Sequence, residues 1–126
     1  MIDIEQLRHT AGPFGYWYLA TPYTKYPAGI EEAWKHACQA AGWLTDRGVP
    51  NYCPIAESHP IAIAGGIDPR NHDIWIVRNR PLLHHAVGGI IVQMPEWTES
   101  YGVKIEMDHF RAFQKPMHFL PWPLHL

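Results

Sequence analysis

One carboxylate, that of Glu106, stands in a setting where it could do chemistry. It lies three residues after Val103 and four before Phe110, so it borders the apolar stripe of a predicted helix. The short, β-branched run Gly89–Met94 before this helix predicts a buried strand of a parallel sheet. Because ligands bind at the carboxyl ends of such strands, Glu106 is expected close to a binding site. A carboxylate at the edge of a buried stripe can also simply extend to water, so the pattern alone leaves both interpretations open.

Ser100 is placed to cap the helix that carries Glu106. Its hydroxyl can accept a hydrogen bond from a free backbone N–H in the first helical turn. The turn before it, Pro95–Ser100, follows the predicted strand directly and contains Trp97. Because this turn lies at the ligand edge of the sheet, we expect it to touch a bound molecule.

The elements that must position these groups alternate between strands and helices, which predicts an α/β fold. The helix over 30–46 is the most clearly amphipathic and is interpreted as scaffold. In chain order the sequence predicts a short helix over 2–9, a first strand over 16–20, the scaffold helix, a second strand over 49–53 that Pro50 places at an edge, the strand over 89–94, the helix from Ser100, and a last strand over 117–120.

The segment 54–68 is predicted to be a long loop with Gly65-Gly66 as a hinge, and loops of this length are usually functional or mobile. It contains Ser58 and His59. Asp68-Pro69 is then predicted to start a helix, which Pro81 breaks and restarts.

The whole chain of 126 residues is predicted to be a single domain, 1–126. A formal net charge of −2 offers no basic patch for a polynucleotide, whereas a nucleotide monomer stays possible. No apolar run approaches the ~20 residues that span a bilayer, so we expect no membrane partner and a cytoplasmic protein. Cys38 and Cys53 do not form a disulfide framework.

We expect neither a metal nor a cofactor. The nine histidines do not fall into an H-E-x-x-H motif, and no paired C-x-x-C is present. The chain also contains no phosphate-binding loop of the form G-x-x-x-x-G-K-[ST] and no dinucleotide fingerprint G-x-G-x-x-G.

Several segments together resemble one superfamily. Ser100–Glu106, as S-x-G-V-x-x-E, resembles the catalytic segment of the nucleoside 2-deoxyribosyltransferase superfamily, which includes deoxynucleoside 5′-monophosphate N-glycosidases. Tyr18–Tyr23 resembles the Y-L-A-x-P-[FY] opening of that superfamily. Asn51–Pro60, and Pro95–Trp97 followed by Ser100, resemble a related, largely uncharacterised bacterial and phage family. The matching segments extend from about Tyr18 to Pro116.

The resemblance implies a flavodoxin-like (Rossmann-like) three-layer sandwich with a parallel sheet of four or five strands. It also implies a homo-oligomer in which a neighbouring subunit helps to complete the site. Tyr18 and Tyr23 can equally be aromatic core residues, and His59 a loop histidine held by backbone. The residues that the resemblance assigns to substrate binding are Tyr18, Thr21, Pro22, Tyr23, Ser58, His59, Trp97, Ser100 and Gly102.

The activity that the resemblance implies is cleavage of the N-glycosidic bond of a nucleoside or nucleoside 5′-monophosphate. Glu106 would attack the anomeric carbon, and water or another base would resolve the glycosyl enzyme. Ser100 would bind the sugar hydroxyl or the 5′-phosphate. Relatives that exchange bases on nucleosides tend to have Asp at this position, which repels phosphate, so Ser100 favours a nucleotide.

The sequence departs from the superfamily at Asn79 and Val87, where relatives with the pattern D-x-P-L-L-x-x-x-D carry acids. Asn79 is assigned to the catalytic site with Glu106, but an amide orients a base and does not shuttle a proton. Asp73 and Glu57 are the candidate substitutes. Two alternatives therefore stay open: a non-catalytic nucleotide-binding or sensing protein, and a glycohydrolase of NAD or an ADP-ribose derivative.

Overall fold

Four parallel strands form the centre of the protein in a computed structural model, which describes residues 2–124. The strands stand in the order β2-β1-β3-β4. The elements are α1 (Ile4–Ala11), β1 (Trp17–Ala20), α2 (Ile30–Asp46), β2 (Asn51–Tyr52), α3 (Pro54–Gly65), α4 (His72–His85), β3 (Gly88–Val92), α5 (Tyr101–Ala112) and β4 (Met117–Leu120). A short 3-10 turn over Trp97–Glu99 precedes α5.

The order of the strands creates a crevice between β1 and β3. From β1 the chain crosses through α2 to β2 on one side, whereas from β3 it crosses through α5 to β4 on the other. The segments that follow the two central strands therefore diverge, and this divergence opens the sheet edge to a ligand.

Side chains of the central strands alternate between two helical layers, as the period of two in a strand requires. Trp17 and Leu19 on β1 pack in the core that includes α1 and α2. Tyr18 faces the opposite layer, where it packs near Phe110 of α5. Ala20 and its neighbours meet α5 in the same layer. The expected flavodoxin-like three-layer α/β architecture is confirmed, with four strands.

Gly89 of β3 lets α5 lie directly on the sheet. A Cβ atom at this position would come within 2.2 Å of the Phe110 ring, which is closer than any non-bonded contact allows. The absence of a side chain at this position therefore sets how closely α5, and Glu106 on it, approach the strand.

The prediction of a long loop over 54–68 is wrong, because most of it is helix α3. Pro54 occupies the first turn, where a missing N–H costs nothing. Pro60, inside the helix, lacks the N–H that would bond the Ala56 carbonyl. The indole N–H of Trp34 on α2 donates to that same carbonyl, at 3.2 Å. The helical hydrogen bond that Pro60 cannot donate is replaced by this tertiary contact. A contact with a distant part of the chain leaves no local signal, so the sequence did not indicate a helix.

The predicted start of the next helix at Asp68-Pro69, and its predicted break at Pro81, are also wrong. Asp68 accepts a hydrogen bond from the backbone N–H of Arg70 at 2.9 Å, which makes a turn. The helix α4 begins at His72 and continues through Pro81. Val77, four residues before that proline, is 65% exposed, so water can reach this turn of the helix.

None of the helices within residues 2–124 combines the length and apolar character needed to cross a membrane.

Candidate functional site

A cavity of about 770 Å³ lies at the carboxyl edge of the sheet, at the crevice between β1 and β3. Its wall comes from the segment after β1, the start of α3, much of α4, and α5. Of the residues assigned from sequence, it is lined by Tyr18, Thr21, Pro22, Tyr23, Ser58, Asn79, Ser100, Gly102 and Glu106. The topology thus brings together residues that are far apart in the chain.

Glu106 is the only acidic residue of the cavity wall within the part of the chain that is described. Burial among the surrounding elements raises the pKa of its carboxyl group to about 8, and a hydrogen bond from Tyr18 opposes this shift. The environment therefore favours the neutral acid when the cavity holds no ligand. A carboxyl group with such a shift, in a cleft and beside one specific partner, is a candidate for catalysis.

Tyr18 lies beneath Glu106 and is 1% exposed. Burial and the neighbouring Glu106 raise the pKa of its hydroxyl far above the ordinary value. The phenol therefore stays protonated and can donate a hydrogen bond to the neighbouring carboxyl group. Its ring is held by Tyr52 and Phe110, with centroids 5.7 and 6.2 Å away. Tyr18 is therefore a core residue that also contacts Glu106.

The N-terminus of α5 faces the cavity, and the predicted cap is confirmed. The Ser100 hydroxyl accepts a hydrogen bond from the Val103 backbone N–H at 3.3 Å. A Cβ atom on Gly102 would meet no other atom within 4 Å, so the cavity is open beside the first turn. Free N–H groups at a helix start, together with the helix dipole, favour an anion.

Positively charged side chains also lie in or near the cavity wall. Lys25 and Arg80 line the wall. Arg70 is close enough to Tyr23 to act against the burial that raises the pKa of that phenol. With one carboxyl group against these cations, the cavity suits an anionic ligand better than a cationic one.

Thr21 contributes a polar atom that lacks a partner. The residue is 4% exposed, and its Oγ1 makes no hydrogen bond within residues 2–124. Buried hydroxyls nearly always have a partner, so Thr21 is a candidate to bind a group of the ligand. Pro22 and Tyr23, which follow it, line the same wall.

Asn79 reaches the cavity, but its carbonyl oxygen is engaged. The Tyr52 hydroxyl donates to it at 3.0 Å, and the Arg78 guanidinium lies 3.4 Å away. The amide is therefore held by neighbours. Of the candidate substitutes for the missing acid, neither Glu57 nor Asp73 lines the cavity.

His59 and Trp97 are the two assigned residues that do not line this cavity. His59 is buried and contacts Tyr23, which does line it. Trp97 packs near Phe119, with ring centroids 5.8 Å apart, and borders a smaller separate groove.

Sequence reasoning missed a group of residues at the end of the cavity, namely His84, His109 and Phe113. Their rings lie within 4.5 to 5.6 Å of one another. His109 follows Glu106 by three residues on the same helix, and this helical spacing is the signal that could have found it. Burial, His84 and Lys115 lower the pKa of His109, which favours the neutral imidazole.

Within residues 2–124, no three His, Cys, Asp or Glu side chains come together as metal ligands would. Cys38 and Cys53 are free thiols.

Comparison with known proteins assigns the chain to a family but not to an activity. No curated protein matches the sequence. A domain family matches residues 15–121, which contain the whole sheet and every residue assigned to the cavity. The chain belongs to the family described as a domain of unknown function, DUF1937.

Proposed function

We propose that the protein cleaves the N-glycosidic bond of a nucleoside 5′-monophosphate through Glu106. The observation that carries the proposal is the position of this carboxyl group beside the Tyr18 hydroxyl, as the only acid of the cavity wall among residues 2–124. The resemblance of Ser100–Glu106 and Tyr18–Tyr23 to the nucleoside 2-deoxyribosyltransferase superfamily supports the same role.

In the first step the ionised Glu106 carboxylate attacks the anomeric carbon. The bond from this carbon to the base nitrogen breaks, and the electron pair leaves with the base. In the second step water, or another base, attacks the same carbon and releases the carboxylate. The first acceptor gives a hydrolase and the second a base-exchanging transferase.

The start of α5 would hold the phosphate group of the substrate. Ser100 still has its hydroxyl proton to donate, and the helix dipole and the open space beside Gly102 favour an anion. Lys25 and Arg80 add positive charge to the wall. These features support a nucleotide over an uncharged nucleoside.

The test is a panel of nucleosides, nucleoside and deoxynucleoside 5′-monophosphates and NAD, each with and without a free acceptor base. Products of the wild-type protein and of Glu106→Gln are separated by chromatography. We expect base release or exchange from a monophosphate, with a loss of at least a thousandfold in the variant, because removal of a nucleophile leaves little of the rate. Since attack requires the ionised carboxylate, kcat/KM should rise with pH as this carboxyl group, whose pKa is about 8, ionises.

The matched control is Glu57→Gln, which makes the same chemical change at an exposed carboxylate outside the cavity wall. It should leave the rate within twofold of the wild type. Equal losses in both variants would contradict a specific role of Glu106.

Other results of the panel identify the rival functions. Release of nicotinamide from NAD would make the protein a glycohydrolase of that dinucleotide. Binding of a nucleotide by calorimetry without turnover of any compound would make it a nucleotide-binding protein, consistent with the amide at Asn79.

A further inference from the structure

A continuous chain of hydrogen bonds runs from the cavity to the protein surface. The Tyr23 hydroxyl lies 2.6 Å from Nδ1 of His59, and Nε2 of His59 lies 2.9 Å from a carboxylate oxygen of Glu31. Tyr23 lines the cavity, His59 is 3% exposed, and the Glu31 side chain is 62% exposed. The three groups belong to the segment after β1, to α3 and to α2, so the fold alone assembles them.

The imidazole at the centre of this chain is held on its face as well as at both nitrogens. Trp34 stacks on His59, with centroids 5.1 Å apart and an interplanar angle of 23°. The ring of Tyr23 meets it edge-on at 5.7 Å. A buried ring fixed in this way keeps both nitrogens aligned with their partners.

The direction of the hydrogen bonds depends on the protonation of His59. When Glu31 is ionised, Nε2–H donates to it, and the neutral ring then accepts the Tyr23 proton at Nδ1. When His59 carries both protons, Nδ1–H donates to the Tyr23 oxygen instead. The Tyr23 O–H is then free to donate to another acceptor.

We propose, on the basis of the glycosidic function proposed above, that Tyr23, His59 and Glu31 form a proton relay that serves the departing base. Tyr23 is the group that donates a proton to the base. His59 and Glu31 position Tyr23, and His59 replaces the proton that Tyr23 gives up. The relay supplies the proton transfer that the amide of Asn79 cannot provide, and that Glu57 and Asp73, outside the cavity wall, do not reach.

The relay gives up one proton in the first step and recovers one in the second. As the bond from the anomeric carbon to the base nitrogen breaks, the Tyr23 proton passes to that nitrogen, and Nδ1–H of His59 replaces it. His59 becomes neutral and keeps its Nε2–H bond to Glu31. In the second step water loses a proton to the Tyr23 oxygen as it attacks, the Tyr23 proton moves to Nδ1, and His59 regains its charge.

The experiment compares two leaving groups in Tyr23→Phe. The first is the base of the substrate identified by the panel, and the second is 4-nitrophenolate on the same sugar phosphate, which departs as a stable anion. We expect kcat for the natural base to fall by 10²- to 10⁴-fold, the usual contribution of general acid catalysis, and kcat for nitrophenolate release to change by less than fivefold. Equal losses on both substrates, or none on the natural one, would overturn the relay.

The chain provides a matched control in Tyr26→Phe. The Tyr26 hydroxyl lies 2.7 Å from Nδ1 of His36, whose Nε2 is 3.7 Å from Glu32, so the arrangement is similar. Tyr26 does not line the cavity. This variant should retain the wild-type rate on both substrates.

Glu31→Gln tests the outer end of the relay without disturbing the core. The amide can still accept from Nε2–H but does not stabilise the charged imidazole, so we expect a tenfold loss confined to the natural base. An independent readout is the ¹⁵N spectrum of His59, in which Tyr23→Phe should shift Nδ1 and leave Nε2 in place. An unchanged Nδ1 signal would show that no such hydrogen bond exists.

The two proposals fail in different ways. Base release that depends on Glu106 but not on Tyr23 would overturn the relay and leave the proposed function intact. Absence of base release from every member of the panel by the wild-type protein would overturn both.

Discussion

At the scale of single residues, Glu106 is subject to two opposing influences. Burial raises the pKa of its carboxyl group to about 8, while the hydrogen bond from Tyr18 favours the ionised form. The attack on a sugar needs the ionised form, so the protein keeps its proposed nucleophile largely protonated until the cavity is occupied. A positive charge that develops on the sugar would favour ionisation at that moment.

The raised pKa predicts how stability changes with pH. Below pH 4.5 the carboxyl group is protonated in both the folded and the unfolded chain. Between pH 4.5 and about 8 the unfolded chain releases this proton and the folded chain retains it, so the contribution of Glu106 to the stability of the wild-type protein falls as pH rises. Glu106→Gln has no such proton, so the melting temperature of the variant minus that of the wild type should increase from pH 5 to pH 9.

Thermal unfolding at a series of pH values measures this difference directly. A difference for Glu106→Gln that stays constant across the range would show that burial does not raise the pKa in the folded protein.

At the scale of elements, the close approach of α5 to β3 determines where the cavity residues of α5 stand. Gly89→Ala would place a methyl group within 2.2 Å of the Phe110 ring. We expect a loss of about 1–3 kcal/mol in the free energy of unfolding, the usual cost of overpacking, measured in urea. Phe110→Leu in the same chain should recover part of the loss, because a smaller side chain leaves room for the methyl group.

Gly42→Ala is the control for the change from glycine to alanine itself. Gly42 lies on the exposed side of α2, and a Cβ atom there would meet nothing within 4 Å. It should stabilise the protein by about 0.5–1 kcal/mol, because alanine restricts the unfolded chain and favours a helix. A similar loss in both variants would contradict the packing explanation.

The sequence predicted the elements whose signals are local. Short, largely apolar runs indicated β1 and β3, and the capping serine indicated α5. Helix α3 was missed because Pro60 argues against a helix, and the compensating contact of Trp34 with the Ala56 carbonyl comes from a distant part of the chain. Such long-range compensation has no signature in a local window.

The candidate site was predictable to a similar degree. Residues in the recognisable motifs, such as Tyr18, Ser100 and Glu106, do line one cavity. The position of His59 behind Tyr23 was not predictable, because it depends on how α3 packs on α2. The packing of Trp97 against Phe119, which places its ring outside the cavity wall, likewise depends on three-dimensional contacts that the sequence does not show.

At the scale of the whole molecule, charge is distributed unevenly. The chain carries a net charge of −2, yet Lys25 and Arg80 line a cavity to which the described part of the chain contributes one acidic residue. The cavity can therefore attract an anion that the protein as a whole would weakly repel, and salt should screen the attraction.

This distribution predicts a salt dependence that follows the phosphate group. Affinity for a nucleoside 5′-monophosphate, measured by calorimetry, should fall several-fold between 50 and 500 mM salt, because the ions screen the cations of the cavity. Affinity for the matching nucleoside should change little. In the double variant Lys25→Gln, Arg80→Gln, the affinity for the monophosphate should depend on salt almost as weakly as the affinity for the nucleoside. An unchanged salt dependence would contradict phosphate binding near these two cations.

The contact between Trp34 and α3 makes this tryptophan a natural spectroscopic probe. Its indole N–H is held by the Ala56 carbonyl, and its ring covers His59. Each tryptophan gives a separate indole signal in a ¹H–¹⁵N spectrum, so the exchange of this one proton with deuterium reports how often α3 detaches from α2. Since α3 also carries Ser58 in the cavity wall, the same signal would report any detachment of this part of the wall without an added label.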